Sequence, residues 1–556
     1  MDAVNVALRA YGEQWLSSWS QKLSATSTFL LDTQLGLVVS VFLSLWAVVF
    51  VAAMIYADSD GVKEYLSSIR RYVPYDAGGR GDKVVCVDCT HNAYPTLTHH
   101  KDSTTPGKFK GDTSTDTVFN ALLAGWPQLR RAKSVTCNHF DIDGICSVWS
   151  LMHPAKALRH ERILREAAMI GDMRAMYVDP SRGCVEPGSI TQQALRLCCW
   201  LNTRERELFS RPFEGNEEQE SANKYAYFLP LFGEVLDALE ACPSPPPPST
   251  RDGPSENDET ETETSRMVMR HRVGWTECNK GEAERLEVER DVLSLWRGFG
   301  GMTSGVRERV LDQTKVEWDE LGVMVIRAPH PPHYYALFSL AKGTDAVVSV
   351  YPGNRYEVEY RYTGFVELQS RPTWPRFNLA HLAKVLNSRE KGKSAEGKAN
   401  DDDAVAAAES SNPSRGAIRE RSGDDGEVGG GGGDENGDDI APVPPTPPGA
   451  RWDAPGVTDS GPLLRLNDPN NRLSKAERYG NPRDRPIYAS TIRPDEFLAV
   501  VKSFFEFGTR GAKTASGVNG EVPRRGWTWR DTHAINAHVK WDEWVASETR
   551  GSSPPS

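Results

Sequence analysis

The residues best suited to chemistry lie in the stretch TCNHFDIDGICSVW, residues 136–149. Here His139, Asp141 and Asp143 stand at alternating positions, directly before Gly144. On a strand all three side chains project to the same side, because side chains alternate along extended backbone. One imidazole and two carboxylates form the mixed N/O ligand set that suits Mn²⁺ or Mg²⁺. We therefore predict a divalent-metal site with these three as its catalytic residues.

The chemistry that such a site supports is phosphoester hydrolysis. Gly144 permits a tight turn from strand to helix, which leaves the acids at the carboxyl end of the strand, where ligands bind in open α/β sheets. Two metal ions about 4 Å apart can clamp a phosphate and activate a water molecule for in-line attack. A phosphorylated small molecule is the partner that this chemistry predicts.

The elements around this stretch alternate between strand and helix. Residues 83–88 and 134–138 predict buried strands, and residues 112–126 and 145–158 predict helices with one apolar face. Such alternation is typical of a parallel sheet. We predict an α/β domain over residues 80–241 that carries the metal site.

Two further parts of the chain have a different pattern. Residues 267–390 combine helices with period-two strands that neighbour one another in sequence, which predicts a smaller α+β domain. Residues 451–545 predict a C-terminal extension that packs on the core. Its main helix is expected to begin at Pro494 and end at Gly508.

Two segments lack the apolar periodicity that a core needs. Residues 242–266 predict a disordered insertion, and residues 391–450 predict a disordered linker rich in acid, Gly and Pro. They hold part of the acidic excess behind the net charge of −11. That charge argues against general nucleic-acid binding, which relies on clustered Lys and Arg.

An apolar run near the start predicts a membrane anchor. Residues 35–56 contain 22 positions without a charge, and a bilayer-crossing helix needs about 20. A buried core helix is the alternative.

Residues 1–34 predict an amphipathic interfacial segment, with a targeting peptide as its alternative. More basic residues follow the span than precede it, so we expect a single-pass protein with its large C-terminal portion in the cytosol. The predicted fold is thus a parallel-sheet α/β domain plus a smaller α+β domain, preceded by a single transmembrane helix.

The opening stretch also resembles a known motif. The letters HFDIDGICS are similar to the first motif of the DHH phosphoesterases, D-x-D-G-x-x-S. The resemblance implies that Asp141 and Asp143 are metal ligands, that Gly144 forms the turn and that Ser147 opens the helix. His139 stands where some members have an earlier acid.

A second stretch resembles the later part of the same family. It runs VVCVDCTHNAYPTLTHHKDSTT and is followed by DTSTDTVFNALL. The resemblance implies that Asp88, His99 and His100 are further metal ligands or phosphate contacts. There are two departures, since Thr98 replaces the first acid of the Asp-His-His motif and the order of the motifs is reversed. A circular permutation would be required.

Over a longer span the chain resembles a family of bacterial and plant proteins known only as a domain of unknown function. This resemblance implies kinship without naming a reaction. Its landmarks are LTHH at 97–100, GDTSTDTVF at 111–119, NHFDIDG at 138–144, IGDMR at 170–174, YRYTGFVELQSR at 360–371 and PRFNLAHLAKVLN at 375–387.

Three further side chains are candidates for the site. Asp172 follows a helical run, where its carboxylate could approach the metal, although Gly171 also fits a plain helix-ending turn. Arg371 and Arg376 flank prolines, a rigid mount for two guanidinium groups that could bind a phosphate. The alternative for both arginines is a solvated or ion-paired surface role.

Two functions remain open at this stage. The first is a membrane-anchored, metal-dependent phosphoesterase, which requires the acids and histidines to converge in one cleft. The second is a catalytically inactive membrane-tethered binding or scaffold protein with unknown protein partners. In that case the same residues would scatter, or serve as helix caps and turn formers.

Overall fold

The structure is a computed structural model, and it describes most of the chain after residue 69. The described ranges are 70–75, 83–209, 218–241, 273–297, 315–390, 443–515 and 529–550, except positions 102, 180, 340, 342, 458, 460–462, 475–476 and 479. The predicted amphipathic segment 1–34, transmembrane helix 35–56 and disordered insertion 242–266 lie outside the described residues, as does most of the predicted linker 391–450.

The predicted membrane localisation needs correction. Within the described ranges, no helix has both the length and the apolar character needed to cross a bilayer. One of the longest, Glu218–Ala241, has 24 residues but carries charged side chains such as Lys224, Glu234 and Asp237. The predicted span, residues 35–56, is not among the residues searched, and a membrane location forms no part of the function proposed below.

The first sheet is built from four parallel strands. They are β1 (Arg71–Tyr72), β2 (Val84–Val87), β3 (Thr96–Leu97) and β4 (Ser134–Thr136), in the order β1-β4-β2-β3. Strands β2, β3 and β4 are fully buried, as expected for a parallel sheet with both faces covered. The predicted parallel α/β architecture is confirmed for this part of the chain.

Helices surround this sheet. They are α1 (Ser114–Leu123), α2 (Pro127–Arg131), α3 (Ile142–Met152), α4 (Pro154–Ala157), α5 (Glu161–Met173), α6 (Ile190–Leu208), α7 (Glu218–Ala241) and α8 (Glu282–Arg297). Helix α3 lies at the centre, because it contacts the sheet as well as α1, α5 and α7. The helix predicted over 145–158 is interrupted after Met152, since Pro154 cannot continue its hydrogen bonds.

The second sheet is mixed and has six strands. They are β5 (Lys315–Trp318), β6 (Val323–Arg327), β7 (Ala346–Tyr351), β8 (Arg355–Tyr360), β9 (Arg451–Asp453) and β10 (Leu463–Asn467), in the order β5-β6-β7-β8-β10-β9. Only β6 and β7 pair in parallel. The helices of this part are α9 (Tyr334–Ser339), α10 (Leu379–Arg389), α11 (Pro494–Ala515), α12 (Trp529–His538) and α13 (Trp541–Arg550).

Helix α11 begins at the predicted residue but does not end where predicted. It starts at Pro494 and continues beyond Gly508 to Ala515. A Cβ at position 508 would lie 2.8 Å from the ring of Phe377. Gly508 therefore serves close packing between helix and ring instead of ending the helix.

The two sheets are linked beside the predicted site. His100 forms a bridge with Val366, the N–H of Lys101 donates to Phe365, and the N–H of Glu367 donates to the carbonyl of His99. Main-chain hydrogen bonds thus hold the segment after β3 against the segment after β8.

Candidate metal centre

Asp88 and His99 are placed by two neighbouring parallel strands. Asp88 follows β2 directly, His99 comes two residues after β3, and the N–H of Asp88 donates to the carbonyl of Leu97. The backbone of Asp88 is left-handed, with φ of 53°, a conformation rare for residues other than glycine. This turn places the Asp88 carboxylate at the carboxyl end of the sheet, where ligands bind in α/β proteins.

Asp141 and Asp143 belong to the start of a helix and not to a strand, which corrects the predicted geometry. Strand β4 ends at Thr136, and Asp141 caps α3 by accepting a hydrogen bond of 2.7 Å from the N–H of Gly144. The Asp143 carboxylate reaches α1 and accepts from the N–H groups of Ser114 and Thr115 at 2.6 and 2.7 Å. Ser147 is a buried residue within α3, not its first residue.

Asp172 approaches the same place from α5. It lies within the last turn of that helix, whose left-handed C-terminal residue is Arg174, with φ of 50°. Gly171 is needed for packing, because a Cβ there would lie 2.6 Å from the Cβ of Ile142. The Asp172 carboxylate oxygen is 3.3 Å from Nε2 of His99.

Four side chains therefore surround one point, which we call the central position. Nε2 of His99 lies 3.7, 3.8 and 3.3 Å from carboxylate oxygens of Asp88, Asp143 and Asp172. Nδ1 of His99 is 2.7 Å from the main-chain carbonyl of Asp112. Because a carbonyl can only accept, Nδ1 carries the proton. Nε2 has no hydrogen-bond partner among the described residues.

A second group, which we call the outer position, shares Asp88. Nε2 of His139 lies 3.0 Å from Oδ2 of Asp141 and 3.2 Å from Oδ2 of Asp88. The side chains of His139 and Asp141 are 19% and 40% exposed, whereas that of Asp88 is 1% exposed. The cluster therefore opens to solvent at the outer position and is closed at the central one.

The pKa values show how the acids affect one another. Burial, together with the charge of Asp88, raises the pKa of Asp143, and burial together with the charge of Asp141 raises the pKa of Asp172. Burial and the charge of Asp141 also raise the pKa of Asp88. Burial opposes ionisation of Asp141, yet His139 lowers its pKa below the usual value. The buried carboxylates thus repel one another strongly when ionised.

The other predicted ligand, His100, is placed differently. It lies within reach of Asp88 and His99, but both of its ring nitrogens are in hydrogen bonds. Nδ1 is 2.6 Å from the hydroxyl of Thr98, and Nε2 is 2.9 Å from the hydroxyl of Tyr362. His100 therefore connects the strand end to the second sheet, and one of its nitrogens would have to exchange a hydroxyl partner to bind a metal.

The two arginines predicted to bind phosphate have protein partners. The Arg371 guanidinium pairs with both oxygens of Asp345, at 2.6 and 3.2 Å. Arg376 is buried and donates to the main-chain carbonyls of Arg361 and Asp459 at 2.6 and 2.8 Å. Both guanidinium groups thus hold the second sheet and its loops, and neither is among the described residues that pair with Asp88, Asp141, Asp143 or Asp172.

The prediction from sequence missed groups that hold the ligands from behind. The carbonyl of Asp112 orients His99, and the hydroxyl of Ser114 donates to Oδ1 of Asp88 at 2.6 Å. Residues 112–126 predict a helix, and it is the start of this helix, α1, that faces the acids. Its main-chain N–H groups could not be identified from side-chain types.

Comparison with known proteins identifies the family of this chain but names no reaction for it. No curated protein and no solved structure matches the chain, so the resemblance to DHH phosphoesterases rests on the motifs alone. One family model, described as a family of unknown function, DUF6687, matches residues 68–516. This range includes the whole cluster and confirms the resemblance to a family of unknown function. The chain belongs to the DUF6687 family.

Proposed function

We propose that this protein is a divalent-metal-dependent phosphoesterase whose centre holds two ions, Mn²⁺ or Mg²⁺. The observation that carries the proposal is the bare Nε2 of His99, which faces oxygens of Asp88, Asp143 and Asp172 at 3.3–3.8 Å. A neutral imidazole whose other nitrogen donates to a carbonyl is the usual form of a metal-binding histidine.

The charge of the cluster supports bound cations. Asp88, Asp141, Asp143 and Asp172 are four carboxylates, and the basic side chains within 4.0 Å of them among the described residues are His99 and His139 alone. Buried charges are normally paired or bound to metal. Two divalent ions would supply the positive charge that four carboxylates require.

The residues divide naturally between two ions. His99, Asp143, Asp172 and Oδ1 of Asp88 would hold one ion at the central position. His139, Asp141 and Oδ2 of Asp88 would hold the other at the outer position, which is open to solvent. When bound, such ions polarise the phosphoryl oxygens and lower the pKa of a bound water molecule.

The alternative, an inactive binding protein, explains part of the cluster. Asp141 caps α3 and Asp143 accepts from the first N–H groups of α1, as that alternative expects. Capping does not explain Asp172 or the bare nitrogen of His99, because neither is bonded to a helix N-terminus. We therefore favour the phosphoesterase.

The DHH resemblance supports the same reaction through residue types. Asp143 of its first motif lies 3.8 Å from His99 of the later motif, and Asp141 lies 3.0 Å from His139. At the position of the missing acid, Thr98 shares hydrogen bonds with His100 and Ser114 and so has a structural part. The reversed order of the motifs still requires a permuted chain.

The test is metal-dependent hydrolysis of a generic phosphodiester by the full chain with Mn²⁺. Asp172→Asn removes one ligand charge with little change of shape, and we expect turnover to fall about 100-fold or more, since even groups behind metal ligands matter about 10- to 100-fold. The control is Asp291→Asn, an aspartate that is 1% exposed and paired with Arg483.

The control should lose stability and keep its metal-dependent turnover. Equal turnover in Asp172→Asn and Asp291→Asn would contradict the proposal. So would a wild-type chain that binds no Mn²⁺.

A further inference from the structure

Tyr225 is a buried tyrosine whose ring is held against the outer position. It lies on α7, is 0% exposed, and packs against the rings of Tyr72 and Phe140 at centroid distances of 4.5 and 5.2 Å. Phe140 stands between His139 and Asp141 in the chain. The aromatic contacts therefore fix the ring next to two of the proposed ligands.

The hydroxyl of Tyr225 has no nitrogen or oxygen partner among the described residues. Buried hydroxyl groups are normally bonded, so an exception calls for an explanation. The thiol of Cys137 shares a side-chain hydrogen bond with this hydroxyl, but a thiol is only a weak partner.

The space in front of the hydroxyl is bordered by the proposed ligands. A Cβ built on Gly144 would lie 2.7 Å from the Tyr225 hydroxyl, 3.1 Å from Oδ1 of Asp141 and 3.3 Å from Oδ2 of Asp88. These three oxygens lie around one position next to Gly144, which any side chain at residue 144 would occupy. The phenol is a neutral donor that lies next to the same position as the two carboxylates.

We propose that the Tyr225 hydroxyl binds a phosphoryl oxygen of the substrate at the outer position. This inference rests on the function proposed above and adds a substrate-binding residue to it. Among the described residues, the basic side chains within 4.0 Å of the cluster carboxylates are the histidines His99 and His139 alone. A phosphoryl oxygen is negatively charged and needs a hydrogen-bond donor in addition to metal, and the phenol supplies one.

The test compares Tyr225→Phe with the wild-type full chain in the presence of Mn²⁺. The substitution removes only the phenol oxygen, whose protein partner is a weakly bonding thiol, so we expect little loss of thermal stability and unchanged Mn²⁺ binding. We expect inorganic phosphate to bind about 10- to 100-fold more weakly and kcat for a phosphodiester to fall by a similar factor, the usual loss for a hydrogen bond to a charged group.

The matched control is Tyr351→Phe. Tyr351 is also a buried tyrosine whose hydroxyl has a side-chain neighbour, the hydroxyl of Ser349, but it lies on β7 of the second sheet. This variant should keep wild-type phosphate affinity and turnover. A purely structural role for Tyr225 predicts that both variants behave alike.

The outcomes separate this inference from the proposed function. Wild-type affinity for phosphate and wild-type kcat in Tyr225→Phe would overturn the role of Tyr225 and leave the metal centre standing. A wild-type chain that binds neither Mn²⁺ nor phosphate would overturn both. A lower melting temperature in Tyr225→Phe, with unchanged phosphate binding, would assign the hydroxyl to folding.

Discussion

At the scale of single residues, the hydrogen bonds of two histidines define the candidate centre. Nδ1 of His99 donates to a main-chain carbonyl, and Nδ1 of His139 lies 2.7 Å from the side-chain oxygen of Asn138. In both rings the opposite nitrogen, Nε2, faces carboxylate oxygens. A partner behind the ring fixes its orientation and tautomer, which is how proteins prepare histidine as a ligand.

We predict that His99→Gln abolishes binding of the central ion. Glutamine keeps a polar group but has no imidazole nitrogen to offer at the same point. The affinity for Mn²⁺, measured by calorimetry on the full chain, should fall about 100-fold or more, because loss of a group behind a metal ligand already costs about 10- to 100-fold.

The control for this residue is His333→Gln. His333 is 0% exposed, and its Nε2 is 3.1 Å from a carboxylate oxygen of Glu284, away from the cluster. We expect this variant to lose stability while its Mn²⁺ affinity stays at the wild-type value. Equal Mn²⁺ affinities in both variants would rule out the central position as a metal site.

At the scale of elements, two strands and three helices meet at the cluster. Strands β2 and β3 end there, helices α1 and α3 begin there, and α5 contributes its last turn. The N–H groups at a helix start carry partial positive charge, so α1 and α3 favour anionic groups at this point. The acids are therefore held by main-chain groups that sequence patterns do not reveal.

We predict different results for two helix glycines changed to alanine. In Gly144→Ala the new Cβ would contact the Tyr225 hydroxyl and crowd Asp88, so Mn²⁺ binding and turnover should both fall. In Gly508→Ala the Cβ would press on Phe377, far along α11, and should cost about 1–3 kcal/mol of stability by overpacking.

Chemical denaturation, Mn²⁺ titration and turnover distinguish the two variants. Gly508→Ala should keep the metal affinity of the wild type. If Gly144→Ala bound Mn²⁺ and turned over substrate normally, the volume in front of Gly144 would have no part in the centre.

At the scale of the whole molecule, main-chain N–H groups that follow β8 of the second sheet donate hydrogen bonds to residues at the cluster. The carbonyl of His99 accepts from Glu367, and the Asp112 carboxylate accepts from the N–H groups of Gln369 and Ser370. The ligand His99 and the residue that orients it are thus both tied to the segment after β8. The folding of the second sheet and the geometry of the centre are coupled.

We predict that the metal-free protein becomes less stable as the pH rises. The pKa values of Asp143 and Asp172 are raised in the folded chain. Their protonated forms therefore contribute stability that is complete below the unfolded pKa of about 3.9 and is lost as the pH rises through the higher folded pKa. Asp141, whose pKa is lowered, has the opposite effect, but only as the pH falls below about 4.

Melting temperatures between about pH 5 and pH 8, with EDTA or with Mn²⁺, test this prediction. The melting temperature in EDTA should decline with pH, and Mn²⁺ should reverse the decline because it binds the ionised carboxylates. At about 100 times its dissociation constant, Mn²⁺ should add about 2.7 kcal/mol. A melting temperature that rises with pH in EDTA and ignores Mn²⁺ would contradict the metal centre.

The elements of the first sheet follow from short-range patterns. Buried strands at 84–87 and 134–136 and the helix that begins near Thr113 could be predicted, because apolar periodicity and turn residues are local properties. The start of α3 is predicted at residue 145 but lies at Ile142, because the capping bond that begins this helix is not visible in a local pattern. An Asp at a helix N-cap and an Asp on a strand look alike until the capping bond from Gly144 is seen.

The sequence by itself determined the class of the first domain, the family and the chemical types of the ligands, since these depend on residue identity and spacing. Only the tertiary structure decided which of those residues meet. It brought Asp172 from α5 to His99, turned His100 towards Tyr362, and paired Arg371 with Asp345. The physical reason is that convergence depends on strand pairing and helix packing between residues far apart in the chain, which no local pattern contains.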